Sequence, residues 1–67
     1  MITLNGKQAA IDPGESIAGV LRQLGVRDDA RGVAVAVDGE VVPRAGWSSF
    51  ALADEARVEV LTAMQGG

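Results

Sequence analysis

Cysteine, histidine and tyrosine are all missing from the 67 residues of this chain. Without cysteine there is neither a disulfide framework nor thiol chemistry, which fits a reducing compartment. The phosphate-cradling loop GxxxxGK(S/T) is missing as well. We therefore do not expect this chain to bind and activate ATP by itself or to act as an enzyme, and we assign it no catalytic or metal-binding residues.

Positive charge is scarce and scattered. Lys7 is the only lysine, and six basic residues face nine acidic ones, for a net charge of −3. No basic stripe is available for phosphate backbones, which argues against nucleic acid and favours a positively lined protein as partner. No apolar run approaches the roughly 20 residues that span a bilayer, and no signal peptide is visible at Met1. We expect a cytoplasmic protein without a membrane partner.

What the chain does have is a hydrophobic content of 48%, well above that of disordered segments. Its length allows one domain. Two dipeptides, Asn5-Gly6 and Asp38-Gly39, are strong hairpin signals. They predict one hairpin from Ile2–Leu4 with a return strand over residues 7–11, and a second from Val33–Val37 with a return strand over Glu40–Val42 that ends at Pro43.

One helix is predicted between the hairpins. Ser16 is a favourable N-cap, and Gly25 supplies the left-handed stop. The apolar stripe falls at i, i+3, i+4 and i+7, on Ile17, Val20, Leu21 and Leu24. Gly19 costs up to about 1 kcal/mol against alanine inside a helix, and we attribute it to close approach of the helix to the sheet.

The last third of the chain contains an irregular segment and a strand. The segment, residues 44–53, carries Trp47, Phe50 and Leu52, which we expect to plug the core. Residues 57–61 alternate clearly as a strand. The predicted inward set is Ile2, Leu4, Ile11, Ile17, Val20, Leu21, Leu24, Val33, Val35, Val37, Val58 and Val60.

These elements predict an α+β domain in which one helix packs across a mixed sheet, with the first and last strands together at its centre. That arrangement is the β-grasp, or ubiquitin-like, fold. A generic small α+β sandwich is the alternative. We predict a domain over residues 1–61 and a flexible tail (residues 62–67).

The tail ends in Gly66-Gly67. Two glycines make a thread without side chains that fits a slot too narrow for a Cβ atom. A terminal carboxyl has a pKa of about 3.3–3.7, so at neutral pH it is an anion able to attack phosphorus. The chemistry this favours is activation as an acyl-adenylate, after which sulfur or an amine takes the acyl group. The alternative interpretation is a frayed chain end.

Several features, in this order and spacing, resemble the sulfur carrier protein of thiamine biosynthesis, the ThiS family of ThiS/MoaD-like, ubiquitin-like proteins. The resemblance covers essentially the whole chain. Its most specific parts are Val-Pro-Arg followed by Trp47, and the terminal strand that runs into Gly-Gly. The matching stretches are Asn5-Gly6, Leu24-Gly25, residues 38–44 with Trp47, and Val58-Glu59-Val60 through Gly66-Gly67.

The resemblance implies a carrier on which a ThiF-type adenylating enzyme uses ATP to adenylate the terminal glycine. A sulfur donor system then replaces AMP to give a thiocarboxylate, and thiazole synthase (ThiG-type) receives the sulfur. By position, Gly67 is the thiocarboxylated residue, and Gly66, Gln65 and Met64 are recognised in the tail. The resemblance also implies that this chain binds no cofactor itself.

One departure from the family pattern lies before the last strand, where an Asp-Gly-Asp-like turn is often found and this chain has Asp54-Glu55-Ala56. Without glycine a left-handed position is strained. We therefore expect a different local turn there, without an effect on the tail.

Other candidate residues have two readings each. Asp28-Asp29 and Asp54-Glu55 resemble metal or general-base pairs, but solvated loops are the favoured interpretation. Arg44 either contacts a partner or, as we favour, positions its loop or pairs with a carboxylate. Trp47 is either a binding hot spot or, as we favour, part of the core.

The face of the sheet away from the helix is predicted to be apolar, since Ala34, Ala36 and Leu61 should point outward. We interpret this face as a docking surface, with Met64 as a further anchor. The alternative is a face covered by Trp47, Phe50 or a second copy of the chain.

Three function classes follow. The leading one is the sulfur carrier for thiazole formation. The second is a carrier for molybdopterin or cysteine synthesis, or a ubiquitin-like modifier. The third is a plain binding module that uses the apolar sheet face.

Overall fold

The computed structural model of the protein describes residues 1–26 and 31–62. Over these residues the elements are β1 (Ile2–Leu4), β2 (Lys7–Ala9), α1 (Ile17–Gln23), β3 (Val33–Val37), β4 (Glu40–Val42), a 3-10 helix (Arg44–Gly46) and β5 (Arg57–Thr62). The strands form one sheet in the order β2-β1-β5-β3-β4. β1 and β5 are parallel, and the other neighbours are antiparallel. This is the β-grasp fold, with β1 and β5 adjacent inside the sheet as predicted.

Both hairpin turns have the backbone that their sequences predict. Asn5 and Gly6 have φ of 49° and 83°, and Asp38 and Gly39 have φ of 51° and 87°. Two successive positive φ angles are those of a type I′ turn, which matches the twist of the strands it joins. The return strand of the first hairpin ends at Ala9, two residues earlier than predicted, and Ile11 packs against the core from outside the sheet.

The ends of α1 are capped as predicted. The Ser16 hydroxyl oxygen accepts a hydrogen bond from the Gly19 N–H at 3.1 Å. At the other end Gly25 has φ of 83°, its N–H donates to Arg22 O at 3.0 Å, and Val26 N–H donates to Leu21 O at 2.9 Å. This pair of bonds is a Schellman motif, so glycine is required there for its left-handed backbone.

The core lies between α1 and the sheet. Its buried residues are Ile2, Ile17, Val20, Leu21, Val35, Val37, Trp47, Leu52, Ala56 and Val58, and the other predicted inward residues except Leu24 pack partly buried against them. Ala56 was not predicted. Leu24 was predicted wrongly, because it is the C-cap of the seven-residue helix and is 48% exposed.

Phe50 was also predicted wrongly as a core plug, since it is 37% exposed. Its backbone carbonyl accepts a hydrogen bond from the Ile17 N–H at 3.1 Å at the start of α1. The segment is held at this point through its main chain. Trp47 and Leu52, at 6% and 3% exposure, are in the core as predicted.

The reason predicted for Gly19 is wrong. A Cβ atom at this position would clash with Glu15 Oε2, and its three nearest atoms all belong to the Glu15 side chain. Glu15 precedes the helix and its side chain lies along the helix, where its Oε1 accepts a bond at 3.5 Å from Nε2 of Gln23, the last residue of α1. Gly19 therefore makes room for a neighbouring side chain rather than for the sheet.

The turn before β5 also differs from expectation. Glu55 has φ of 68°, so the left-handed position is kept without glycine. The Ala56 N–H donates to Ala53 O at 3.2 Å, and the Glu55 N–H donates to Met1 O at 2.6 Å. These two bonds hold the turn in a conformation that its side chain disfavours.

Candidate functional site

β5 is the element that leads to the tail. It lies between β1 and β3, and it continues to Thr62, one residue beyond the predicted end, where Thr62 pairs with Val33. Thr62 is thus the first residue of the tail and the last residue of the strand. The predicted tail-recognition residues Met64, Gln65 and Gly66 and the predicted thiocarboxylation residue Gly67 lie outside the described residues.

On the β1 side, a side chain continues the pairing of β5 after the β1 backbone has ended. Register pairing of β1 with β5 stops at Leu4 and Val58, and Asn5 N–H donates to Val58 O at 2.9 Å. One step further, Asn5 Oδ1 accepts from the Val60 N–H at 2.8 Å and Asn5 Nδ2 donates to Val60 O at 3.3 Å. The Asn5 amide thus pairs with Val60 as a peptide group would.

The second hairpin turn holds the other end of β5. Asp38 N–H donates to Arg57 O at 2.8 Å, and Asp38 Oδ1 accepts from the Arg57 N–H at 2.9 Å. Because β1 runs parallel to β5 and β3 runs antiparallel to it, one turn meets the end of β5 and the other meets its start. Asn5 and Asp38, which occupy the same position in their two turns, therefore hold opposite ends of β5.

From the sequence, Asn5 and Asp38 were predicted only as turn residues. Their bonds to β5 depend on which strands are neighbours, and a turn dipeptide carries no such information. The signal that was available is the predicted adjacency of the first and last strands. Asn5 directly follows the first strand. If the first and last strands are neighbours, the Asn5 side-chain amide must therefore lie beside the last strand.

The outward face of the sheet brings together the three predicted docking residues. Leu61 is 65% exposed and pairs with Ala34, which is exposed too. Ala36, half-buried, pairs with Val41 on its other side, and Val41 is 73% exposed. We call these four residues the outer patch. Val41 was missed, although the register of the Asp38-Gly39 turn places it opposite Ala36.

Trp47 does not cover the outer patch. It is 6% exposed and belongs to the core, and its Nε1 donates to Val42 O at 2.8 Å. The Arg44 guanidinium carbon lies 5.0 Å from the centroid of the indole ring, a cation–π contact. This contact supports the reading in which Arg44 positions its loop, and it places Trp47 as a core residue.

Asp54 is engaged in an ion pair at the surface. The Met1 ammonium donates to Asp54 Oδ1 at 2.6 Å, and the two groups are 56% and 77% exposed. This hydrogen bond holds the pKa of Asp54 below its ordinary value of 3.8 and raises the pKa of the Met1 amine above 8.0. A carboxylate with a lowered pKa is a poorer general base, which agrees with a structural role for Asp54. The other acidic pair, Asp28-Asp29, lies outside the described residues.

Comparison with protein families gives a match along nearly the whole chain. The model of the ThiS family matches residues 2–67. The chain belongs to the ThiS family. The matched range includes the outer patch, both turns that hold β5, and the tail with Gly66-Gly67.

Solved structures agree with the ThiS assignment. The crystal structure of a thiamine biosynthesis protein (ThiS) from Geobacter metallireducens has a TM-score of 0.76 and 34% sequence identity, over 98% of this chain and 97% of that chain. The NMR solution structure of a thiamine biosynthesis protein from the same organism has a TM-score of 0.75 and 34% identity, over 98% of this chain and 86% of that chain. None of the curated proteins compared with the chain matches it.

Two kinds of structural feature are absent from the described part of this ThiS-family chain. Residues 1–26 and 31–62 contain no helix long and apolar enough to cross a membrane. Within the same ranges no three acidic side chains come together as potential metal ligands.

Proposed function

We propose that this protein is a sulfur carrier in thiamine (thiazole) biosynthesis and acts as a protein substrate rather than an enzyme. The observation that carries the proposal is the ThiS-family match over residues 2–67, which extends through Gly66-Gly67. The likeness to a thiamine biosynthesis protein at 34% identity supports the pathway. The paired strand β5, which ends where the tail begins, supports a body that presents the tail.

The chemistry takes place on a partner. A ThiF-type enzyme lets a carboxylate oxygen of Gly67 attack the α-phosphorus of ATP, so that pyrophosphate leaves and an acyl-adenylate remains. Sulfur from a donor system attacks the acyl carbon, and AMP departs with that oxygen. Thiazole synthase (ThiG-type) takes sulfur from the thiocarboxylate, and an oxygen atom from its substrate or from water takes the place of that sulfur, so that the carboxylate is restored. The tail of six residues spans about 20 Å when extended, enough to reach into another protein.

We propose that the activating enzyme docks on the outer patch. Leu61 is 65% exposed one residue before the tail, and Ala34 next to it leaves the sheet backbone close to the surface. Small and apolar residues on a solvated sheet face indicate a surface that is buried in a complex. Met64 serves as a further anchor in this proposal.

Replacing Leu61 with asparagine tests the docking proposal. Burial of a leucine side chain contributes about 1.5–3 kcal/mol, so Leu61→Asn should weaken binding of the activating enzyme by about 10- to 100-fold. Leu24→Asn is the matched control, because Leu24 is 48% exposed but lies at the end of α1, away from the outer patch. Calorimetric titration measures both. Equal affinities of Leu61→Asn and the unchanged protein would overturn the docking proposal.

Intact mass spectrometry tests the carrier function itself. The protein is incubated with a ThiF-type enzyme, ATP and a sulfur donor. We expect a mass gain equal to one oxygen replaced by sulfur, and no gain in a variant that lacks Gly67. An unchanged mass, with the enzyme active on its own carrier, would overturn the proposal and favour a carrier of another pathway or a plain binding module.

A further inference from the structure

Val60 has both of its backbone polar groups directed away from β3. In the antiparallel pair of β3 and β5, Val60 stands opposite Val35. Its N–H and C=O meet the Asn5 side chain instead, at 2.8 Å and 3.3 Å. β1 has ended at Leu4, so removal of the Asn5 side chain would leave both groups to water at the point where the strand approaches the tail.

We propose that Asn5 is a positioning residue for activation of the tail. Its side chain, in place of a β1 backbone, holds β5 at Val60 on the side away from β3. Together with the β3 pairing that runs to Thr62, this contact fixes where the tail leaves the body. This inference rests on the proposed carrier function. It concerns the direction in which the tail leaves the body and not the reaction itself, since the hydrogen bonds of Asn5 to β5 go to Val58 and Val60, before the tail.

Without the Asn5 contact, the tail would leave the body in a wider range of directions before it enters the active site of the activating enzyme. A tail that starts from a fixed strand end samples fewer directions, so a larger share of carriers is ready to enter a narrow slot. A loosened strand end lowers that share and weakens productive binding. Once the tail has entered, the reacting carboxylate is unchanged. We therefore expect a rise in KM with little change in kcat.

Asn5→Gly removes the amide while keeping the turn, because Gly-Gly is also a favoured type I′ turn sequence. The fold supplies a matched control in Asp38→Gly. Asp38 has φ of 51° against 49° for Asn5, each is followed by glycine, and each side chain bonds a backbone N–H of β5. Asp38 bonds Arg57 at the start of the strand, far from the tail along β5.

Amide hydrogen exchange of the free protein gives the first readout. In Asn5→Gly the Val60 amide should exchange about tenfold faster, since its hydrogen bond is lost. In Asp38→Gly the Arg57 amide should become faster and the Val60 amide should not. An unchanged Val60 amide in Asn5→Gly would overturn the proposal without reference to sulfur chemistry.

Adenylation kinetics give the second readout, at a temperature where circular dichroism shows both variants folded. Pyrophosphate release by a ThiF-type enzyme should show KM raised about threefold or more for Asn5→Gly, kcat within about twofold, and both constants unchanged for Asp38→Gly. Equal shifts in the two variants, or none in either, would overturn the positioning role while the carrier function stands. If the unchanged protein is not adenylated, the proposed function fails and the positioning role fails with it.

Discussion

At the scale of single residues, Glu55 stands out because its φ of 68° lies in the left-handed region. This region costs a residue with a Cβ atom about 1–2 kcal/mol. Glycine avoids that cost but loses about 0.5–1 kcal/mol to the greater freedom of its unfolded chain. We therefore expect Glu55→Gly to raise the free energy of unfolding by about 0.5–1 kcal/mol.

Urea denaturation followed by circular dichroism measures this effect. Glu55→Gln is the matched control, because it removes the charge and keeps the Cβ atom. It should leave the stability within about 0.5 kcal/mol of the unchanged protein. A gain in Glu55→Gln as large as that in Glu55→Gly would show that charge, rather than backbone strain, is relieved.

Residue-level prediction succeeded where a residue's role depends on its sequence neighbours alone. Ser16 caps the helix and Gly25 ends it because both effects act within one turn of backbone. Leu24 fits the apolar stripe but is 48% exposed, because the helix ends at Gln23 and the stripe runs past it. The amide of Asn5 was missed, since its partner Val60 is 55 residues away.

At the scale of elements, α1 is short and depends on what meets its first turn. Ile17 N–H donates to Phe50 O and Ala18 N–H donates to Trp47 O, each at 3.1 Å. Ser16 satisfies the next donor, Gly19 N–H. A helix of seven residues is marginal by itself, so these bonds and the buried stripe hold it.

Replacement of Ser16 by alanine tests the contribution of this cap. Loss of the hydroxyl leaves Gly19 N–H without its acceptor in a half-buried position, and we expect a loss of about 0.5–2 kcal/mol in the free energy of unfolding. Ser49→Ala is the control, because the exposed Ser49 hydroxyl donates to Gly46 O at 3.3 Å and makes no bond to α1. Chemical denaturation that shows equal losses for the two variants would contradict the capping role.

The elements themselves divide into two kinds by how well the sequence predicts them. Both hairpins and the helix follow from local signals and agree with the structure. The segment from Pro43 to Ala56 carries no period. Its backbone bonds go to the start of α1, to Met1 and, at Ala56, to Thr3 of β1, so it does not pair along the length of any one strand. Without a period, residue type was the one guide to burial in this segment. It placed Trp47 in the core correctly, but it gave no sign that Phe50 lies at the surface.

At the scale of the whole molecule, the adjacency of the first and last strands was predictable because two hairpins, one helix and a late strand leave few right-handed arrangements. The outward set Ala34, Ala36 and Leu61 followed from strand alternation and is confirmed on one face. Val41 belongs to the same patch, and its exposure of 73% follows from the edge position of β4. A single-strand pattern could not show that position, since an edge is a property of the sheet.

The ion pair between Met1 and Asp54 joins the first residue to the turn before β5, 53 positions away. The ammonium lowers the pKa of Asp54 below 3.8. This carboxylate therefore stabilises the fold fully above pH 3.8, and the stabilisation is lost as the pH falls through the lowered pKa. The carboxylate raises the pKa of the Met1 amine above 8.0. The ammonium therefore stabilises the fold fully below pH 8.0, and the stabilisation is lost as the pH rises through the raised pKa.

The difference in free energy of unfolding between the unchanged protein and Asp54→Asn, plotted against pH, should therefore form a plateau between pH 3.8 and pH 8.0. It should decline at lower and at higher pH. The plateau should be low, because both groups are exposed and solvent screens them. Denaturation at a series of pH values gives the profile, and NMR titration of the Asp54 carboxyl carbon gives its midpoint directly. A midpoint at or above 3.8, together with a flat profile, would mean that the two groups do not pair in solution. A lowered midpoint, with the amine midpoint of Met1 falling toward 8.0 in Asp54→Asn, would show that this contact holds the start of β1 against the strand that leads to the tail.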